Sequence, residues 1–372
     1  MPEVVLERAS YDYDDLKKRF FRIMDSIGGD RIKNNSRVVI KPNLLAPAPP
    51  EKAILTHPLV VRAAVEYVLK KGARPQVSDS NAVGSFAKIL KESGIREALK
   101  GLDVECSEFR TSEHVDLGKP FRKIEIAKEA LNADVLINLP KLKTHTQMLL
   151  TLGVKNLFGC IVGMKKPEWH LRTGVDRKMF ATLLVQICGA LKPGFTVLDG
   201  ILAMEGQGPG KGGTPRELGV LMGSRDPFSM DTVVCKMLGI RPDSLLTNKV
   251  AKELGLANGT VSVKGDMPEI KNFRFPEITP VVFGPKSLHR LMRKHLVQRP
   301  VSEADLCKMC GECWEYCPAK AISKDKKKER VRFDYEKCIR CYCCIEVCPH
   351  GALSAKETFP GKFIRRVVKK DG

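Results

Sequence analysis

Short apolar runs and amphipathic stretches alternate along residues 38–238 of the chain. Five apolar runs predict buried strands, at residues 38–40, 76–78, 134–139, 195–198 and 218–222. Five stretches with apolar positions at helical spacing predict helices, at residues 58–69, 85–92, 124–131, 177–191 and 227–238. Strands separated by helices favour an α/β fold, in which helices cover both faces of a largely parallel sheet.

Polar residues follow four of these strands. Lys41, Asp79, Lys141 and Asp199 each come at or just after a predicted strand end. Ligands of open α/β sheets bind beyond the carboxyl ends of the strands. We therefore expect these four side chains along one rim of the sheet.

The densest polar group follows the third strand and consists of Lys141, Lys143, His145, Lys155 and His170. Cationic donors suit a carboxylate or a phosphate and a histidine can transfer a proton, so this group predicts a site for an anionic small molecule. A solvated basic loop is the alternative, because lysines are usually exposed. The 25-residue gap between the two histidines, with no cysteine or glutamate nearby, disfavours a metal ion there.

A glycine-rich stretch at residues 206–213 does not match a nucleotide-binding loop. A Walker A loop would need glycine at 205 and serine or threonine at 212, where this chain has Glu205 and Gly212. No Gly-x-Gly-x-x-Gly pattern follows the first strand either. The stretch predicts a flexible surface loop, with a lid or an anion-binding nest as the other interpretations.

The C-terminal region contains two copies of the run Cys-x2-Cys-x2-Cys-x3-Cys-Pro, offset by 31 positions. The cysteines are Cys307, Cys310, Cys313 and Cys317 in the first copy, and Cys338, Cys341, Cys344 and Cys348 in the second. In bacterial ferredoxins with this signature the fourth cysteine crosses to the other cluster. We therefore predict two [4Fe-4S] clusters, in which Cys348 completes the first set of three and Cys317 completes the second.

A zinc ribbon or a disulfide cluster is the alternative for these cysteines, because paired Cys-x2-Cys also binds zinc. Two complete four-cysteine runs, each followed by proline, favour the iron–sulfur interpretation. Cys343 lies inside the second run and has Glu312 as its counterpart in the first, so we expect a bystander thiol.

Length and these patterns together predict two domains. We expect the α/β domain over residues 1–285 and a basic linker over residues 286–300. A small α+β ferredoxin-like domain with two [4Fe-4S] clusters should span residues 301–357, followed by a basic tail over residues 358–372.

The formal net charge is +20, and it is still about +16 after two oxidised clusters at about −2 each are counted. Such a charge suits docking onto an acidic redox partner protein. Nucleic acid is not expected, because no known binding motif occurs and aromatic residues make up only 6% of the chain. Peripheral contact of the basic tail with an anionic membrane is the less favoured alternative.

Several features predict a cytoplasmic location. Residues 1–15 are rich in acidic side chains and lack the apolar core of a secretory signal. The longest apolar stretches, such as residues 158–164, are too short to cross a bilayer. Thiolate ligands of iron–sulfur clusters also require a reducing compartment.

Four motifs resemble the DUF362 family, often labelled iron–sulfur centre proteins, some of which carry a ferredoxin-like domain at the C-terminus. They are Lys41-Pro-Asn43, Lys141-x-Lys143-Thr-His145, Lys155-Asn156-Leu-Phe-Gly159, and the run from Asp199-Gly200 through Glu205-Gly206 to Gly208-Pro209. The likeness covers residues 37–240, and residues 300–355 resemble two-cluster ferredoxins. By this resemblance the catalytic residues would be Lys141, Lys143 and His145, and those that bind substrate would be Lys41, Asn43, Lys155, Asn156, Asp199 and Glu205.

These observations favour an electron-transfer protein or oxidoreductase, in which two clusters pass electrons to an anionic substrate or cofactor at the rim. A maturation or assembly factor for a metalloenzyme is the first alternative. A binding module whose clusters only hold the small domain together is the second.

Overall fold

The computed structural model describes residues 1–174, 176–257, 260–277, 295–325 and 330–360. The strands are β1 (Glu3–Arg8), β2 (Arg37–Pro42), β3 (Arg74–Val77), β4 (Glu105–Cys106), β5 (Ser112–Asp116), β6 (Lys123–Ala127), β7 (Val135–Leu139), β8 (Lys141–His145), β9 (Leu149–Thr151), β10 (Phe195–Gly206), β11 (Gly213–Ser224), β12 (Ser262–Lys264), β13 (Arg299–Ser302), β14 (Ile322–Asp325), β15 (Arg330–Phe333) and β16 (Leu353–Lys356).

The helices are α1 (Tyr13–Ser26), α2 (Pro58–Lys70), α3 (Phe86–Glu92), α4 (Ile95–Ala98), α5 (Lys128–Leu131), α6 (Gly153–Asn156), α7 (Lys165–Thr173), α8 (Arg177–Leu191), α9 (Pro227–Met237), α10 (Leu246–Glu253), α11 (Glu312–Glu315) and α12 (Cys343–Glu346). Short 3-10 turns occur at Gly29–Arg31, Pro50–Lys52, Leu157–Cys160 and Pro242–Ser244. Within the described ranges, no helix is long and apolar enough to span a membrane.

Ten of the described strands form one sheet, in the order β12-β1-β11-β10-β7-β2-β3-β4, with β8 paired to β10 and β9 paired to β8. The strands β10, β7, β2, β3 and β4 run parallel to one another. β11 is antiparallel to both β1 and β10. The predicted α/β class with a largely parallel sheet is confirmed.

Helices cover both faces of this sheet. Successive side chains of a strand point to opposite faces, and β2 shows this directly. Val38 and Ile40 join a core that contains residues of α1 and α2, whereas Val39 joins a core that contains residues of α8 and α10. The strand ends are therefore enclosed between two helical layers.

Local signals placed several elements correctly. His57 caps α2 by accepting the Leu59 N–H on its ring Nδ1 at 3.2 Å, and Pro58 occupies the first turn. Asp176 caps α8 by accepting the Met179 N–H at 2.9 Å.

Two predictions about elements were wrong. The first half of the helix expected at residues 124–131 is the strand β6, where Ile124 and Ile126 are buried and Glu125 between them is not, which is the period of a strand; only the second half is helical, as α5. The strand expected to end at residue 198 continues as β10 to Gly206, with a register shift after Gly200. Asp199 therefore lies inside a strand rather than at its end.

The cysteine-rich region forms a small α+β unit. Antiparallel pairs join β13 to β16 and β14 to β15, and α11 and α12 each lie within a cysteine run. The predicted domain boundaries stay predictions. Residues 286–294 of the predicted linker, residues 326–329 and residues 361–372 of the predicted tail lie outside the described residues.

Candidate functional site

The eight cysteines of the two runs gather into two groups. Cys307, Cys310, Cys313 and Cys348 line one cavity in the small unit. Four cysteines around one cavity fit a cubane cluster, in which each thiolate binds a different iron. Cys344 belongs to the second group and is buried among its other members. Its pKa is raised by burial and by Cys341, Cys338, Cys313 and Cys317.

Backbone donors repeat with the sequence duplication. The Ala321 N–H donates to Cys317 Sγ, and the Ala352 N–H, 31 positions later, donates to Cys348 Sγ, each at 3.3 Å. Donors to ligand sulfur help to set the potential of an iron–sulfur cluster. None of the 13 cysteines forms a disulfide. Cys348 lines the same cavity as Cys307, Cys310 and Cys313, which fits the predicted crossover of the fourth cysteine.

A cavity with about 630 Å³ of empty space, part of it open to solvent, lies between the strand ends of the sheet and the second cysteine run, and we call it the interdomain cavity. The α/β part contributes the polar lining residues Lys41, Asn43, Asp79, Ser80, Lys143, His145, Thr151, Lys155, Asn156, Lys166 and His170. The cysteine-rich part contributes Tyr316, Cys343 and Glu346.

Strand β8 supplies two of the lining residues. All five of its residues are buried, and it pairs with β10 on one side and β9 on the other. This contradicts the alternative of a solvated basic loop. Because side chains on one strand face repeat every two residues, Lys143 and His145 are presented together. Helix α7 presents Lys166 and His170, which are four residues apart and share one helical face.

One end of the cavity is built around Asp79. Its Oδ1 lies 2.8 Å from Lys41 Nζ, and its Oδ2 accepts the Leu44 N–H at 2.8 Å. Lys166 Nζ donates to Ser80 Oγ at 2.7 Å, and burial is the main cause that lowers the pKa of Lys166 to about 8. We call Lys41, Asp79, Ser80 and Lys166 together the Asp79 end.

Gly159 closes the wall beside the Asp79 end. A Cβ at this position would lie 2.3 Å from Asp79 Oδ1 and 2.5 Å from Lys41 Nζ. Only a glycine lets the backbone come this close to the ion pair without displacing it.

Lys143 has neutral partners. Its Nζ donates to Asn43 Oδ1 at 2.8 Å and to the Ile54 carbonyl at 2.7 Å. Asn43 in turn donates to Asn156 Oδ1 at 2.8 Å. Burial, with Lys155 as the next contribution, lowers the pKa of Lys143 to about 7.

His145 faces Glu346 of the cysteine-rich part. Its Nδ1 accepts the N–H groups of Gln147 at 3.1 Å and Met148 at 3.3 Å, so the neutral ring carries its proton on Nε2. His145 Nε2 lies 3.1 Å from Glu346 Oε1, but the two are not aligned as a hydrogen bond. Burial lowers the pKa of His145 to about 4, so the ring is neutral at pH 7.

Lys155 lies at the same end and makes no hydrogen bond or ion pair within the described part of the chain. Its Nζ lies 5.9 Å from the ring centre of Phe158 and 6.0 Å from that of Phe180. It keeps some accessible surface although it lies deep in the protein, because that surface faces the cavity. Burial lowers its pKa, and the carboxylate of Glu346 acts against this shift. We call His145, Lys155 and Glu346 together the Glu346 end.

Two buried polar atoms of the lining, His170 Nδ1 and Thr151 Oγ1, have no hydrogen-bond partner in the described residues, and His145 Nε2 and Glu346 Oε1 have only each other at 3.1 Å, without the alignment of a hydrogen bond. Such orphaned groups are rare in native proteins and call for a missing water, ion or ligand. Their concentration around one cavity indicates that the cavity binds something polar.

Three of the predicted site residues do not line the cavity. Lys141 Nζ lies 2.7 Å from Asp199 Oδ2 and 3.0 Å from the Tyr11 hydroxyl, in a buried network that uses both charges. Glu205 pairs with Arg216 at 2.8 Å and with Arg274 at 2.6 Å. The structure brings together the other six: Lys41, Asn43, Lys143, His145, Lys155 and Asn156.

Several lining residues were not predicted from the sequence. Cys343, which we expect to be a bystander thiol, lines the cavity together with Tyr316 and Glu346. The break in the 31-residue repeat at Cys343 was the available signal. Lys166 and Ser80 belong to no motif that would have singled them out.

The glycine-rich connection between β10 and β11 is not a free surface loop. The Thr146 N–H donates to the Gly208 carbonyl at 3.1 Å, and the Gly208 N–H donates to Thr144 Oγ1 at 3.2 Å. Pro209 lines the cavity, and a Cβ on Gly210 would lie 3.4 Å from the Glu346 carbonyl. The connection is packed between β8 and the cysteine-rich part.

Two family profiles match the chain. The family described as "Domain of unknown function (DUF362)" matches residues 38–236, which is more than half of the chain. The chain belongs to the DUF362 family. A 4Fe-4S dicluster domain matches residues 299–349, so this DUF362 protein carries a ferredoxin-like iron–sulfur domain.

Known proteins resemble this DUF362 protein to different extents. It is 36% identical over 307 residues to the thylakoid-associated protein sll1697 of Synechocystis sp.. The aligned region covers 80% of this chain and 95% of that protein. It is 32% identical over 98 residues to the electron transport protein HydN of Escherichia coli, covering 26% of this chain and 47% of HydN. The lactate racemase apoprotein of Thermoanaerobacterium thermosaccharolyticum aligns with a TM-score of 0.41 and 13% identity, over 60% of this chain and 54% of that one.

Proposed function

We propose that this protein is an iron–sulfur oxidoreductase that passes electrons through two [4Fe-4S] clusters to an anionic substrate or cofactor in the interdomain cavity. One observation carries the proposal: cations of the α/β part and residues of the second cysteine run, Cys343 and Glu346, line the same cavity. The similarity to HydN, whose name describes electron transport, supports it.

Two cysteine groups would hold the clusters, which supply single electrons when bound. The first group would be Cys307, Cys310, Cys313 and Cys348, and the second Cys317, Cys338, Cys341 and Cys344. Cys310 is exposed, whereas Cys317, Cys341 and Cys344 are buried. We infer that a redox partner docks at the first group and that the second group faces the substrate. The basic charge of the chain suits an acidic partner.

Residues of the Glu346 end would act on the substrate directly. Lys155 has no competing ion pair and would bind a negative or polarised oxygen. The Nε2–H of His145 would donate to the substrate, because its present neighbour Glu346 is not hydrogen-bonded to it. Lys41, Asn43, Lys143 and Asn156 would hold this wall in shape through their mutual hydrogen bonds. Lys141 has no direct role in this proposal.

Anaerobic stopped-flow mixing tests the proposal. Dithionite-reduced protein would be mixed with pyruvate, crotonate and fumarate, and reoxidation followed at the cluster absorbance. We expect at least one anion to reoxidise the protein, and Lys155→Met to slow that reaction about tenfold, the usual value of a hydrogen bond to a charge.

Lys178→Met is the matched control, because Lys178 is exposed and pairs only with Glu253 in the described structure. It should leave the rate unchanged, and both variants should retain their iron. Equal reoxidation rates in wild type and Lys155→Met would contradict a substrate site in the cavity.

The cytoplasmic location is also part of this proposal. The name of the relative sll1697 describes association with thylakoids, so cell fractionation is the appropriate test. Recovery of the protein in the membrane pellet, with release only by salt or detergent, would contradict a cytoplasmic protein.

A further inference from the structure

The two ends of the interdomain cavity have different electrostatic surroundings. The charges that act most strongly on Lys166 are Asp79 and Lys41, whereas the charge that acts most strongly on Lys155 is Glu346. The Asp79 end is therefore distinct from the Glu346 end, which belongs to the wall shared with the cysteine run.

The Asp79 end keeps one positive charge that no carboxylate of the lining offsets. Asp79 pairs with Lys41 at 2.8 Å, which leaves Lys166 without an acid partner. Lys166 is only 6% exposed, and one of its three N–H groups is used, on Ser80. A buried ammonium with an unused donor and no counter-ion favours an anionic ligand.

Ser80 adds a second donor at this end. Its Oγ accepts from Lys166 Nζ at 2.7 Å and from the Gly163 N–H at 2.9 Å. Both contacts use lone pairs, so the hydroxyl proton of Ser80 has no acceptor among the described residues and is available to a ligand oxygen. Lys166 and Ser80 together make a built site in which each side chain is more than nine-tenths buried.

The Glu346 end is less suited to a second anionic group. Glu346 already opposes Lys155 there, and a thiolate-ligated cluster behind Cys343 would add further negative charge. Lys143 already donates two hydrogen bonds, to Asn43 Oδ1 and to the Ile54 carbonyl. What remains are neutral or polar groups such as His145 Nε2 and His170 Nδ1.

We propose that the cavity binds a ligand with a single anionic group, a carboxylate or a phosphate, held by Lys166 and Ser80, and with its uncharged reactive end beside His145 and Cys343. This rests on the proposed function and adds to it the class and orientation of the substrate. The anionic oxygen atoms would serve as an anchor, and the part that receives electrons would lie at the wall shared with the cysteine run.

Calorimetric titration of the anaerobic full-length holoprotein tests this orientation. The probes are butyrate, its uncharged isostere butyramide, the dianion glutarate and propyl phosphate. We expect butyrate or propyl phosphate to bind at least about tenfold more tightly than butyramide, and the tighter of the two names the anchor. Glutarate should bind no more tightly than butyrate.

Lys165 and Lys166 form a matched pair on α7. Lys165 is half-exposed and pairs with Glu125 and Glu168, whereas Lys166 faces the cavity. Lys166→Met should weaken the preferred anion at least about tenfold and remove its advantage over butyramide, while Lys165→Met should keep both. Ser80→Ala removes a donor without removing a charge and should weaken the anion more than butyramide.

Several results would overturn the proposal: no binding of either anion, equal binding of butyrate and butyramide, tighter binding of glutarate, or equal effects of the two lysine variants. The iron content of each variant must match that of wild type. If calorimetry gives one of these results while anions still reoxidise the reduced protein, the proposed orientation is wrong but the proposed function is not. Loss of reoxidation in wild type would remove the function itself.

Discussion

Lys141 and Lys143 lie two residues apart on β8, and their partners give them different roles. Lys141 meets the carboxylate of Asp199, and the pair is closed off from the cavity. Lys143 meets only neutral oxygen atoms, so burial lowers its pKa to about 7. The motif that contains both lysines gave no means of separating a structural lysine from a cavity lysine, because the partners lie 50 or more residues away in the sequence.

Replacing Lys141 should affect stability rather than binding. Lys141→Met leaves Asp199 buried without its partner, and we expect a loss of about 3 kcal/mol in the free energy of unfolding. Lys141→Met with Asp199→Asn should recover part of it, because the unpaired charge is gone. Chemical denaturation of the three proteins measures this. A Lys141→Met protein that is as stable as wild type but no longer binds butyrate would contradict the structural role.

Anion binding should weaken as pH rises through about 8. Burial lowers the pKa of Lys166 to about 8. Asp79 raises this pKa and Lys41 lowers it, and Cys160 and Glu108 have smaller raising effects. Above this pH the free protein loses the ammonium that would hold the anion, so affinity falls, and below it affinity is level. Titrations with butyrate between about pH 7 and pH 9 measure the change. Lys166→Arg, whose guanidinium stays charged, should show no decline, and a level wild-type profile would contradict the anchor.

At the scale of elements, the sequence predicted those whose signals are local. The helices α2 and α8 carry their caps and apolar faces within a few residues. The first half of the helix expected at residues 124–131 is a strand because β6 is stabilised by pairing with β5, a partner that no local pattern specifies. β10 extends past its predicted end because it stays paired with β11 as far as Gly206.

The turn Leu157–Cys160 should depend on glycine at position 159. A Cβ there would meet Asp79 Oδ1 at 2.3 Å, so Gly159→Ala should displace the ion pair and weaken butyrate binding about tenfold. Gly189→Ala on α8 is the control, since a Cβ there meets nothing within 4 Å, and it should stabilise the protein by up to about 1 kcal/mol. Calorimetry and denaturation separate the two effects. Unchanged butyrate binding by Gly159→Ala would show that the turn does not shape the site.

At the scale of the whole molecule, the cavity joins residues that are far apart in the sequence. The cysteine spacing alone predicted the iron–sulfur domain, because ligand spacing is a local property. It did not predict that His145 and Glu346, 201 positions apart, would face each other at 3.1 Å. Contacts between parts depend on surface shape and charge, for which one sequence carries no direct signal.

The central claim is that a ligand in the interdomain cavity lies within reach of the clusters. The most direct test is EPR spectroscopy of the reduced, anaerobic protein, with about eight irons per chain, before and after saturation with the preferred anion. We expect the anion to alter the signal of one cluster, Lys166→Met to remove this effect and Lys165→Met to keep it. An unchanged spectrum at a concentration where calorimetry shows saturation would contradict the account.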